Sequence, residues 1–195
     1  MASSLRCIIG IVGLPGAGKT TVAVHIVKQK FVHIVLSDFI RDEIALQGIQ
    51  DFSRTTYQKI GNELRKRYGG DILAVRACKK IEKEHLKHAV IDGIRNMQEV
   101  AYLRKQKGFH LLGVSAGARI RFTRLSKRLY TDKQIHRSYA DFLKEEKRED
   151  SLGSHKNGLR VRESLKGADV VVKNTSGKKA LYRAIDKQLN IWCYK

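Results

Sequence analysis

The octapeptide Gly13–Thr20, "GLPGAGKT", lies between two apolar runs, "CIIGIV" and "TVAVHIV". It satisfies G-x-x-x-x-G-K-[ST] at Gly13, Gly18, Lys19 and Thr20, the pattern of a phosphate-binding loop. Each residue type has a physical task there. Glycines let the backbone turn tightly and let its N–H groups converge on anionic oxygens. Lys19 is a point charge able to follow the β- and γ-phosphates of ATP, and Thr20 offers a hydroxyl to Mg²⁺. A helix opening at Lys19 aims its positive end at the same oxygens. Pro15, the chain's one proline, fixes φ where no N–H donor is needed. The donor-phosphate set is therefore Gly13, Leu14, Pro15, Gly16, Ala17, Gly18, Lys19, Thr20 and Thr21.

Two aspartates stand where a second half of the chemistry would be built. Asp92 ends the apolar run "AVID", the position from which a carboxylate holds Mg²⁺ directly or through water, so Thr20 and Asp92 form the candidate metal set. Asp38, in "SDFIRDE", could orient or deprotonate an acceptor hydroxyl, or cap a following helix. Arginines recur in the same places: Arg41, Arg95, Arg119, Arg121 and Arg124 all follow apolar runs. Guanidinium forks suit phosphate oxygens, and several on one rim would neutralise more than one phosphate group.

These residues need a scaffold that gathers strand ends. "RCIIGIV", "VHIVL" (32–36), "HAVIDG" (88–93), "FHLLGVS" (109–115) and "ADVVV" (168–172) read as buried strands. Helical stretches are predicted over 19–30, 39–47, 118–128 and 178–192. Further helices are predicted after Ser53, after Asp71, and after an Asn96/Glu99 capping box. Residues 130–160 are polar with weak periodicity. Strands alternating with helices give parallel βαβ units. The expected fold is α/β: a three-layer, doubly wound, parallel five-stranded sheet, with ligands bound beyond the carboxyl ends of the strands.

Composition narrows the classes. At 195 residues the chain is expected to form one domain. No apolar run approaches ~18 residues, so no membrane helix is expected, and "MASSLR" leads straight into a strand without a secretory signal. Cys7, Cys78 and Cys193 show no metal or redox spacing and are expected as reduced thiols in the cytoplasm. Lys+Arg 39 against Asp+Glu 19 leaves +20, more than a nucleotide site needs, which keeps a nucleic-acid contact open.

The order and spacing of "GLPGAGKT", "SDFIR" and "DGIR" resemble the P-loop nucleoside and nucleotide kinases, and the whole chain through "ADVVVKN" resembles the small archaeal adenylate-kinase-related kinases. The resemblance implies an adenylate-kinase-like P-loop NTPase fold, with an acceptor-binding segment over 39–90 and a lid over 119–160. It matches Asp38 and Arg41 to the aspartate and arginine of the family's G-D-x-x-R, whose arginine binds the acceptor monophosphate, and places Arg95 near the same group, although "DGIR" is one residue shorter than the family's D-G-F-P-R. Arg121 and Arg124 match the arginines that open the lid, Arg148 or Arg160 would supply a second lid arginine, and Asn174 in "KNTSG" would touch the donor base. No residues selecting adenine as acceptor are found, and dephospho-coenzyme A kinases share the strand order. The implied activity is ATP- and Mg²⁺-dependent phosphoryl transfer to a nucleotide or nucleotide-like acceptor. A dephospho-CoA kinase-like transfer to a hydroxyl and an RNA- or ribosome-associated ATPase are the alternatives. A GTPase is disfavoured, because "KNTS" lacks the aspartate of N-K-x-D.

Overall fold

The computed structural model describes residues 6–128, 138–152 and 161–194. Its strands are β1 (Cys7–Val12), β2 (Val32–Val35), β3 (His88–Asp92), β4 (Phe109–Ser115) and β5 (Val170–Lys173). Its helices are α1 (Lys19–Val27), α2 (Leu36–Leu46), α3 (Arg54–Tyr68), α4 (Ile72–Lys83), α5 (Met97–Leu103), α6 (Ala118–Arg128), α7 (Tyr139–Leu152), α8 (Val161–Lys166) and α9 (Lys178–Cys193). Every residue of β1 is buried, as a strand covered on both faces requires. β3 pairs with it from Cys7↔His88 to Gly10↔Ile91, and β4 from Ile8↔Phe109 to Val12↔Gly113. β2 and β5 lie outside these, all pairings are parallel, and the order among the described residues is β2-β3-β1-β4-β5. β1 is thus central, and its carboxyl end opens the ligand crevice.

Alternate strand residues feed two cores. Ile8, Val12, Ala89, Ile91 and Leu111 join Ile40, Ile44, Leu64, Leu73, Ile81 and Leu103 on the face covered by α2 to α5. Ile9, Ile11, Val90, Leu112 and Val114 join Val22, Ile26, Leu181, Ile185 and Leu189 on the face covered by α1 and α9. The fold is the α/β parallel five-stranded architecture that the sequence implies.

Local signals are realised unevenly. Ser53 Oγ accepts from the Thr56 N–H at 3.3 Å, and Asn96 with Glu99 forms the expected capping box. Asp71 stands at the N-cap of α4 without a side-chain bond. The helix expected over 39–47 instead begins at Leu36, with Val35 as its N-cap. The chain passes from strand to helix without a turn because Leu36 is itself a core residue. Asp38 therefore lies in the first turn of α2 and does not cap it. The polar stretch 130–160 carries α7, whose Tyr139 and Phe142 form a ring cluster with Phe122 of α6, centroids 5.4–6.2 Å apart.

The expectation of three reduced thiols is corrected for two of them. Cys7 and Cys193 are joined as a disulfide with Cα atoms 5.4 Å apart, 186 residues distant in sequence. No local spacing could announce a bond between the first strand and the last helix. Cys78 is free and buried, and burial pushes its thiol up to about 11. Closing so long a loop restricts the unfolded chain, so Cys193→Ser is expected to cost about 2–5 kcal/mol. Urea unfolding with and without reductant reads this: reductant should move the wild-type midpoint and leave the variant's unchanged.

Candidate phosphate-loop site

The loop between β1 and α1 is held in a shape that side chains would spoil. Gly16 and Gly18 sit at φ 76° and 104°, in the left-handed region. A Cβ on Gly18 would lie 2.2 Å from Asn174 Nδ2, and one on Gly13 2.3 Å from Val114 O. The loop is therefore pressed against the ends of β4 and β5. Lys19 Nζ donates to Gly13 O at 2.8 Å and to Leu14 O at 3.4 Å, folding back over the loop. The first turn of α1 has neither a capping side chain nor an acid, so its N–H groups and its positive end face the loop interior.

A second set of side chains braces this loop from outside. Buried Asn174 donates Nδ2–H to Ala17 O at 2.8 Å. Arg124 donates Nη1–H to Gly16 O and Ala17 O, both at 3.3 Å, and Nη2–H to Asn174 O and Oδ1 at 2.9 and 3.2 Å. Arg121, 3% exposed, donates Nε–H to Ala116 O at 3.0 Å and forks onto the carboxylate of Glu146. Arg119 points elsewhere, its guanidinium 4.7 Å from the Tyr139 ring centroid. The five arginines thus do not converge on one rim: Arg121 and Arg124 are committed to protein acceptors, and Arg119 stacks on α7. The side chain of Arg148 and the whole of Arg160 lie outside the described residues.

The aspartates rise from neighbouring strand ends. The register Val35↔Asp92 sets Asp92 beside the last residue of β2, and Gly10↔Ile91 sets the residue before it against β1. Asp92 is half-buried and its Oδ1 accepts the Gly93 N–H at 2.7 Å. Asp38, three residues past Val35, is paired with Arg41 on the next turn of α2, both about half exposed. Arg95 is exposed, and its backbone N–H donates to Glu99 Oε2 at 2.8 Å.

That last contact belongs to a network the sequence concealed. Glu99 is fully buried, Arg65 is 7% exposed, and Arg65 Nη2 donates to Glu99 Oε1 at 3.4 Å. Asn96 Nδ2 donates to Gly70 O at 3.1 Å. The α3–α4 junction is so tied to the loop carrying Asp92 and Arg95. Burial raises the Glu99 carboxyl despite the guanidinium beside it. The capping-box spacing showed where Glu99 stands; nothing in one sequence showed that Arg65 reaches it. Glu146, the partner of Arg121, was hidden in the same way.

A phosphate loop on the central strand of a parallel β2-β3-β1-β4-β5 sheet defines the class, a P-loop kinase-like fold. The AAA domain family matches residues 9–153. A UPF0200 protein of Methanothermobacter thermautotrophicus is 33% identical over 147 residues, 75% of this chain and 73% of that one. Another, of Methanocaldococcus jannaschii, is 38% identical over 128 residues, 62% of each. The chain belongs to the AAA domain family and to the UPF0200 proteins, although its match spans less than two thirds of the M. jannaschii protein's length. In shape it is similar to TT1252 from Thermus thermophilus (TM-score 0.60, 19% identity, 96% and 98% of the two chains covered). It is also similar to shikimate kinase from Acinetobacter baumannii in complex with shikimate (TM-score 0.57, 16% identity, 97% and 94% covered). At these identities the likeness establishes the fold. No helix among the described residues is long and apolar enough to cross a membrane.

Proposed function

We propose that the protein is an ATP- and Mg²⁺-dependent phosphotransferase acting on a nucleotide or nucleotide-like acceptor. The observation that carries this reading is the adjacency of three strand ends: the β1 loop with Lys19, Asp92 on β3, and Asp38 with Arg41 just beyond β2. The donor phosphates fit the loop interior, where glycines exclude side chains and the first turn of α1 lacks a competing acid. Residues 13–21 hold them, and Lys19 exchanges its two loop carbonyls for phosphate oxygens. Mg²⁺ would be held by Thr20 and Asp92, directly or through water, and supplies charge neutralisation at the β- and γ-oxygens.

Transfer forms a bond from an acceptor oxygen to the γ-phosphorus and breaks the bond to the β–γ bridging oxygen, releasing ADP. Arg41 and Arg95 orient the acceptor. Arg124 and Asn174 steady the donor loop, and Arg121 ties the lid helix α6 to α7 through Glu146. The segment 39–90 supplies the acceptor side. Segment 119–160 is the lid that excludes water.

The test is a transfer assay with ATP over nucleoside monophosphates, dephospho-coenzyme A and short RNAs. Asp92→Asn is expected to lower Mg²⁺-dependent turnover about 10²-fold whatever the acceptor. Asp38→Asn separates the acceptor classes. A hydroxyl acceptor needs a base, and its removal costs about 10²–10⁴; a phosphate acceptor needs none at neutral pH and should lose far less. ATP hydrolysis with no transfer to any acceptor would replace this reading with that of an ATPase.

A further inference from the structure

The two outer layers of the sheet are charged very differently. Residues 36–103, which build α2 to α5 and β3, hold 12 Lys/Arg and 10 Asp/Glu. The α1–α9 layer is drawn from residues 1–37 and 170–195, which hold ten Lys/Arg and a single acid, Asp186. Asp186 is only partly covered, its side chain 44% exposed, and it is bonded within the layer: it accepts from Gln29 Nε2 at 2.6 Å and contacts His25 Nε2 at 2.6 Å. Apart from that one carboxylate, the charges this layer shows to solvent are positive: Lys28, Lys30, Lys178, Lys179, Arg183 and Lys187 are all exposed. None of the six has an ion-pair partner among the described residues. Lys179, Arg183 and Lys187 follow one another at four-residue spacing, a stripe about 12 Å long at 1.5 Å per residue. Asp186 on Gln29 draws the lower end of this stripe toward Lys28 and Lys30 on either side of Gln29. Lys28, Lys30, Arg183 and Lys187 lie toward the end of α1 away from the donor loop, beside His25 and Gln29; Lys178 and Lys179 open α9 beyond Asn174.

We infer that the α1–α9 face docks the phosphate backbone of an RNA duplex. Unopposed cations at regular spacing suit a polyphosphate rail better than a single anion. The occupant is a duplex because the layer offers few free rings for unstacked bases: Tyr182 is stacked on His25 at 4.0 Å, Trp192 on His110 at 4.7 Å, and Tyr194 leans on His88. It is RNA because two helices side by side, each about 10 Å across, are too broad for the ~12 Å major groove of B-DNA, whereas the minor groove of an A-form helix is wide and shallow between its phosphates. A lipid surface fits less well: the apolar face of α9, with Leu181, Ile185 and Leu189, is spent in the core.

The experiment measures fluorescence anisotropy of a labelled RNA duplex of about 16 base pairs over a salt series. It compares wild type with K179A/R183A/K187A and with K79A/K80A/K83A, an equal charge loss on α4. The α9 variant should bind at least tenfold more weakly at low salt, and its salt slope should be smaller by about 2.7, near 0.9 for each lost phosphate contact. The α4 variant should keep the wild-type slope, and both should unfold at the wild-type temperature and keep phosphoryl transfer. An equal loss in the α4 variant would reduce the effect to net charge and overturn the inference. So would tighter wild-type binding to a DNA duplex, to single-stranded RNA or to phosphatidylserine vesicles than to the RNA duplex.

Discussion

Lys19→Ala should leave a folded protein whose phosphoryl-transfer turnover is lower by about 10³-fold, near 4 kcal/mol of lost transition-state stabilisation. The reason lies in what the other cations are already doing. Arg124 is spent on the carbonyls of Gly16, Ala17 and Asn174, and Arg121 on Glu146. Lys19 alone leans over the loop from the first turn of α1, with Nζ held at 2.8 Å by Gly13 O. That carbonyl bond is exchanged when phosphate enters, so the ammonium moves with the γ-phosphoryl as charge shifts to the leaving oxygen. Its removal should therefore fall mainly on kcat, with a smaller rise in the KM for ATP, because most ground-state contacts come from backbone N–H groups. Steady-state kinetics read both. Turnover within about tenfold of wild type would falsify the phosphate-loop assignment, since a charge that stabilises the transition state from this position is seldom worth less than 10²-fold.

The legibility of this site in the sequence followed the range of the interactions that build it. The loop was legible because its requirements are local: glycines at fixed offsets, a lysine at the helix start, an apolar strand before it. The strands were legible because burial on both faces leaves unbroken apolar runs such as "CIIGIV". Asp38 and Asp92 could be found as strand-end residues, but the start of α2 was misplaced by three residues. No glycine or proline marks the passage from Val35 to Leu36, and Asp38 stood where a cap for a helix starting at Phe39 would be. The arginines marked the limit. Their positions after strands were correct, yet the sequence could not say that Glu146, 25 residues from Arg121, would claim one of them, or that the outer carbonyls of the loop would claim another. The bond between Cys7 and Cys193 was hidden for the same reason, because it joins the two ends of the described chain.

Glu99→Ala should be the most destabilising single substitution near the site, at about 3–5 kcal/mol, because it leaves Arg65 charged, buried and without its carboxylate. It also removes the acceptor of two backbone N–H groups, those of Arg95 and Asn96, at 2.8 and 3.3 Å from Glu99 Oε2. These groups shape the turn after Asp92, so transfer should fall along with stability. Glu99→Gln separates charge from shape: the amide keeps an acceptor but carries no charge. Burial raises the folded-state carboxyl above its ordinary 4.5. Between 4.5 and the raised value, the folded chain holds a proton that the unfolded chain has released, so stability falls as pH rises through that window. The Gln variant has no such proton. Urea midpoints measured from pH 8 down toward 4.5 should therefore show the wild type gaining on Glu99→Gln as the solution is acidified. A difference between them that is flat with pH would mean that Glu99 titrates alike in the folded and unfolded chains. The Arg65 guanidinium and the two backbone N–H bonds would then offset the cost of burying the carboxylate in full.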